Sequence, residues 1–154
     1  MMDVLDSPDQ ARATHRRLLV GRILVAEDDE EMRRLLASSL SSHGYEVVEA
    51  ADGKELIDRL SESMVSGAPV DCIITDVRMP RLTGSEALKF IKRAGLKMPV
   101  IVITAFGDHA TRIDAWLAGA SAVLDKPFEI ERLLDEIRLS RLGSDGEDHR
   151  PPDA

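Results

Sequence analysis

The chain has 154 residues, 44% of them hydrophobic, with a formal net charge of -8 and a sequence pI of about 5.0. That suffices for one domain with modest tails, is too apolar for wholesale disorder, and is too acidic for a broad nucleic-acid surface. One cysteine, Cys72, excludes an internal disulfide and suits a reducing, cytosolic setting.

The first stretch, MMDVLDSPDQARATHRR, has mixed charge and no apolar segment, so it is not a secretory signal. The longest apolar run, LLVGRILVA, is too short to span a bilayer and contains an arginine. RILVA (22–26) reads as the first strand. DEEMRRLLASSLSSH then places Met32, Leu35, Leu36 and Leu40 on one helical stripe, which Gly44 ends. YEVVE is a short second strand. KELIDRLSESM repeats the stripe with Leu56, Ile57, Leu60 and Met64. VDCIITD is the third strand, and its apolar flanks make Cys72 a buried small hydrophobe. SEALKFIKRA turns Ala87, Leu88 and Ile91 inward and ends at Gly95.

MPVIVIT is an apolar fourth strand, and DHATRIDAWLAG a helix with Asp108 as N-cap. SAVLD is the fifth strand. EIERLLDEIRLSRL closes the series with Ile130, Leu133, Leu134 and Ile137 on its stripe. Apolar strands alternating with amphipathic helices predict an α/β fold, a parallel sheet covered on both faces. The expected organisation is an N-terminal extension over 1–20, flexible; one folded domain over 21–142; and a disordered acidic tail over 143–154. No output module is expected beyond the folded unit.

In an open α/β sheet, ligands bind beyond the carboxyl ends of the strands. There the first strand presents Glu27 and Asp28, the third Asp76, the fourth Thr104, and the fifth leads into Lys126. If strands one and three are neighbours, three carboxylates converge, and like charges that close need a cation. Oxygen ligands without His or Cys point to a hard ion, Mg²⁺ foremost. Lysine is a point charge suited to a phosphoryl oxygen, and a threonine hydroxyl can donate to another. An Asp among these groups can attack phosphorus, which makes Asp76 a candidate phosphoacceptor. Singly, each residue reads better as a solvated loop, cap or turn; the joint pattern at four strand ends carries the inference.

The motifs ILVAEDDEEMRRLL, DVRMPRLTGSEAL, VIVITAFGD and GASAVLDKPF resemble the receiver domain of bacterial two-component response regulators over roughly residues 22–141. The resemblance implies a five-stranded parallel sheet of order 2-1-3-4-5 with five helices, the flavodoxin-like receiver fold. It implies that Asp76 accepts phosphate from a histidine kinase or a histidine phosphotransfer protein. Glu27, Asp28, Asp76 and the main-chain carbonyl of Arg78 would hold Mg²⁺. Thr104 and Lys126 would contact the phosphoryl group, and Lys126–Pro127 would be cis. Asp29 lies one position beyond the usual acidic pair and reads as a helix N-cap.

Val123 stands where receivers usually carry Tyr or Phe as a rotamer switch, a departure that bears on the aromatic readout of the threonine shift. Arg78 and Phe106 occupy the positions two beyond Asp76 and Thr104 that flank the hydrolytic water. Bulky Phe106 leads us to expect slow self-dephosphorylation. Family partners often bind the fourth helix, fifth strand and fifth helix. Leu117 reads either as an exposed contact or as buried by a slightly rotated helix. Trp116 reads as core, and Phe90 as off the main stripe of its helix. His15, His43, His109 and His149 lack metal-ligand spacing.

The expected molecule is a stand-alone cytoplasmic switch, monomeric or dimeric on phosphorylation, without direct nucleic-acid or membrane binding, and not an enzyme acting on external substrates. A haloacid dehalogenase-type phosphatase would want a second acid where Arg78 stands. A flavodoxin-like cofactor binder would want a Gly-rich loop after strand one. A degenerate docking receiver would lack part of the acid, Thr and Lys set.

Overall fold

A computed structural model describes residues 21–105 and 108–142. The extension over 1–20, the tail over 143–154 and Phe106 lie outside the described residues. Strands and helices alternate: β1 (Gly21–Ala26), α1 (Glu30–Ser42), β2 (Tyr45–Ala50), α2 (Gly53–Ser66), β3 (Cys72–Asp76), α3 (Gly84–Arg93), β4 (Val100–Ala105), α4 (His109–Leu117), β5 (Ala122–Lys126) and α5 (Ile130–Leu142). All pairings are parallel, in the order β2-β1-β3-β4-β5. This is the expected sheet.

Burial follows sheet position. β3 is buried throughout, and β1 and β4 nearly so, because helices cover both faces. Edge strand β2 is more open, burying Tyr45 and Ala50 at its ends while Val47 and Val48 are half-buried and Glu46 and Glu49 face water. Successive side chains divide between two cores. Leu24, Ile73, Val102 and Val123 pack with Leu56, Leu60, Leu88 and Ile91 from α2 and α3. Ile23, Val25, Ile74 and Ile103 pack with Leu36, Leu40, Leu133 and Ile137 from α1 and α5. Each such side chain contributes about 1.5–3 kcal/mol by leaving water.

Two stripe positions differ from expectation. Leu35 and Met64 are largely exposed. In α1 the contact row runs through Leu36 and Leu40, and Leu35 lies a residue's rotation away. In α2 the row Leu56, Leu60 continues to Ser63, whose buried hydroxyl donates to the Ala68 carbonyl at 2.7 Å. A polar residue thus holds the inward position, and Met64 is turned out.

Four helices begin just beyond strand ends with capping side chains. Asp29, Asp52, Thr83 and Asp108 accept from the backbone N–H groups of Glu31, Glu55, Glu86 and Thr111. Each cap contributes about 1 kcal/mol and sets the entry of its helix. α3 approaches β3 so closely that a β-carbon on Gly84 would lie 2.3 Å from the Asp76 carbonyl oxygen. Only glycine permits that contact. Among the described residues no helix is long and apolar enough to cross a membrane.

Candidate phosphoacceptor site

The neighbouring ends of β1 and β3 bring Glu27, Asp28 and Asp76 together, with one carboxylate oxygen of each within 4.8 Å of the others. Glu27 is 1% exposed and Asp76 8%, whereas Asp28 faces solvent. Lys126, arriving from β5, donates to Glu27 Oε1 at 2.7 Å and to Asp76 Oδ2 at 2.6 Å. The other Asp76 oxygen accepts the Arg78 backbone N–H at 3.0 Å. Main-chain contacts steady the rim: Asp29 N–H donates to Glu27 Oε2 at 3.3 Å, and Arg33 Nη1 to the Glu27 carbonyl at 2.9 Å.

The electrostatics follow from burial. Loss of water pushes the Glu27 pKa up from 4.5 to about 7, against the pull of Lys126 and with the help of the Asp76 charge. Burial acts to lower the Lys126 pKa, but its bonds to Asp76 and Glu27 outweigh that and hold it above its ordinary value. One ammonium cannot neutralise three carboxylates. The cluster has an unmet demand for positive charge, its ligand atoms are all oxygen, and Asp28 stays open to solvent. Those features fit a hard divalent cation such as Mg²⁺.

Thr104 is buried at the end of β4, one residue past Ile103, the register partner of Asp76. Its hydroxyl donates to the Ala105 carbonyl at 3.5 Å and makes no hydrogen bond to Asp76. The Arg78 guanidinium is exposed and reaches Asp108 Oδ2 at 3.1 Å, tying the loop after β3 to the cap of α4. Hydrogen bonds from Thr111, then from Arg78, hold the Asp108 carboxyl below its usual range. The Lys126–Pro127 bond is cis. Val123 is buried in the same core as Ala115 of α4, with Trp116 packed partly buried against that cluster. Leu117 is 80% exposed and Phe90 is half exposed.

Sequence reasoning missed one clamp. Buried Asp52 takes Arg81 Nε at 3.0 Å and Nη2 at 2.6 Å on the same oxygen. The N–H of Glu55 first, and Arg81 second, depress the Asp52 pKa. Arg81 has φ of 69°, a left-handed conformation that side chains disfavour. The clamp braces the turn that carries Arg78. The spacing of Asp52 and Glu55 is a capping signal legible in sequence, but nothing local marks Arg81 as its partner.

A family model described as the response regulator receiver domain matches residues 23–138. The response regulator MprA of Mycolicibacterium vanbaalenii is 38% identical over 117 residues, 76% of this chain and 48% of that protein. MprA of Mycobacterium avium is 39% identical over 117 residues, 76% of this chain and 49% of that protein. The chain therefore spans about half the length of these curated relatives. A response regulator receiver domain protein from Clostridium thermocellum superposes with a TM-score of 0.73 at 31% identity, covering 80% of this chain and 95% of that one. The chemotaxis response regulator CheY4 of Vibrio cholerae gives 0.68 at 30% identity, covering 78% and 98%. The chain belongs to the response regulator receiver domain family. Its described fold is the receiver domain of a two-component response regulator.

Proposed function

We propose that Asp76 is the phosphoacceptor of a two-component phosphorelay. The observation that carries this reading is the shared contact of Lys126 with Glu27 and Asp76, beside an acid cluster too negative for one lysine to balance. A carboxylate oxygen of Asp76 attacks the phosphorus of a phosphohistidine on a sensor kinase or phosphotransfer protein. The P–N bond breaks and its electron pair leaves with the imidazole. Lys126 stands ready to neutralise charge on the transferred group, and Thr104 to donate its hydroxyl once it turns from Ala105. Glu27, Asp28, Asp76 and the Arg78 carbonyl are the groups that would hold Mg²⁺. Bound there, Mg²⁺ would supply charge neutralisation at the phosphoryl oxygens.

The added charge biases a pre-existing equilibrium, and output passes through α4, β5 and α5 to a downstream protein. Val123 gives this switch no aromatic ring to move. Arg78, held by Asp108, and Phe106 tune the lifetime of the phosphate, with slow hydrolysis expected. The protein acts as a switch, not on external substrates. The full acid, threonine and lysine set favours this reading over a docking receiver that is never phosphorylated.

Intact mass after incubation with Mg²⁺ and acetyl phosphate tests the reading. One phosphoryl adduct is expected on the native chain, and none on Asp76→Asn or without Mg²⁺. An adduct that persists in Asp76→Asn, or failure of the native chain to bind beryllofluoride or take up phosphate, overturns it.

A further inference from the structure

A second surface lies away from the acid cluster, in the cleft of about 530 Å³ between α3 and α4. Lys89, Lys92 and Arg93 line one side, and Leu117, Ala118 and Asp114 the other. Every other described lysine and arginine side chain has an acidic partner within 4.0 Å, from Arg22 with Glu46 to Arg138 with Asp135. Among the described side chains the exceptions are Lys89, Lys92, Arg93 and Lys97, consecutive basic positions on α3 and the loop behind it. In a chain of net charge -8, the described cations without an acidic partner thus fall in one place.

The cleft is shaped for the lysine stem. Lys92 lies across Gly119, where a β-carbon would sit 2.7 Å from Lys92 Cε. Gly119 has φ of 105°, so only glycine leaves that room cheaply. Partial burial without an acid lowers the Lys92 pKa, so the ammonium gains from any anion brought to it. Favourable interaction with the helix dipole accounts in part for Lys92 and Arg93, in the last turn of α3. It does not account for Lys89, for Lys97, or for an 80% exposed leucine on the facing wall.

We propose that this cleft docks an acidic segment of a partner protein, with an apolar side chain on Leu117 and Ala118 and carboxylates on Lys89, Lys92 and Arg93. The charge complementarity and the apolar wall choose the occupant. A compact phosphate would leave the apolar wall of Leu117 and Ala118 uncovered. It would also find a single arginine there for bidentate contact. Carboxylates spaced along a peptide meet the cations singly and bring the apolar group that Leu117 needs. The surface is distinct from the β5 and α5 part of the expected output face.

The test uses the isotope-labelled full chain and a helical peptide of glutamates with leucines on one side, followed by amide shifts. Shifts confined to α3, α4 and their connecting residues are expected. Binding should weaken about tenfold or more in the double variant K89E/R93E, where attraction becomes repulsion, and severalfold in Leu117→Ser. A glutamine version of the peptide should bind poorly. These exposed positions leave the circular dichroism of the folded chain and acetyl-phosphate labelling unchanged, which separates failed docking from failed folding. Absence of binding, shifts elsewhere, or affinity untouched by the charge reversal overturns the proposal. So does stronger binding at these residues by duplex DNA or phosphatidylserine vesicles.

Discussion

Glu27 shows what the position of one carboxyl does to the whole protein. Burial and the Asp76 charge raise its pKa from 4.5 to about 7, so the folded chain holds this proton more tightly than the unfolded one. Its contribution to stability is therefore full below about 4.5 and is lost as pH rises toward about 7. Thermal melts of the metal-free protein should fall across that window on this account. Glu27→Gln should flatten the fall, and added Mg²⁺ should recover stability most on the alkaline side. A melting temperature that rises through the window and is unaffected by Glu27→Gln would refute the assignment.

At the scale of elements, the loop from β3 to α3 is held from outside. Arg81 adopts φ of 69° at a cost of roughly 1–2 kcal/mol, while its guanidinium grips Asp52, the cap of α2. Arg81→Ala should lose the clamp and keep the strain, whereas Arg81→Gly loses the clamp and relieves it. Denaturant unfolding should rank native or Gly above Ala, with Ala lower by about 1 kcal/mol or more. The depressed Asp52 pKa adds stability that is present above the ordinary carboxylate value and lost as pH falls. Equal stability for Gly and Ala would mean that Arg81 is not strained.

For the whole molecule, two cores share one sheet, so damage to either should be felt throughout. Leu88 and Leu40 are fully buried on opposite faces. Leu88→Ala and Leu40→Ala should each cost about 2–5 kcal/mol. Both variants should still unfold in one transition, with fluorescence of Trp116 and circular dichroism coinciding. Separate transitions would mean that the two helical layers fold independently.

The sequence by itself determined the alternation of strands and helices, because apolar spacing is a local property that burial rewards directly. It also placed Glu27, Asp28, Asp76, Thr104 and Lys126 at strand ends, where the topology of any such sheet gathers them. Tertiary structure alone decided which groups touch. Lys126 meets Glu27 across 99 residues of chain, Arg81 meets Asp52 across 29, and Arg78 turns to Asp108 instead of inward. Ser63 holds a core position that apolar counting gave to Met64, because a carbonyl lay within reach of its hydroxyl. The unpaired lysines of α3 look like any solvated helix face until the other described cations have been seen to find their acids. Periodicity is written residue by residue, but pairing depends on where distant segments come to lie.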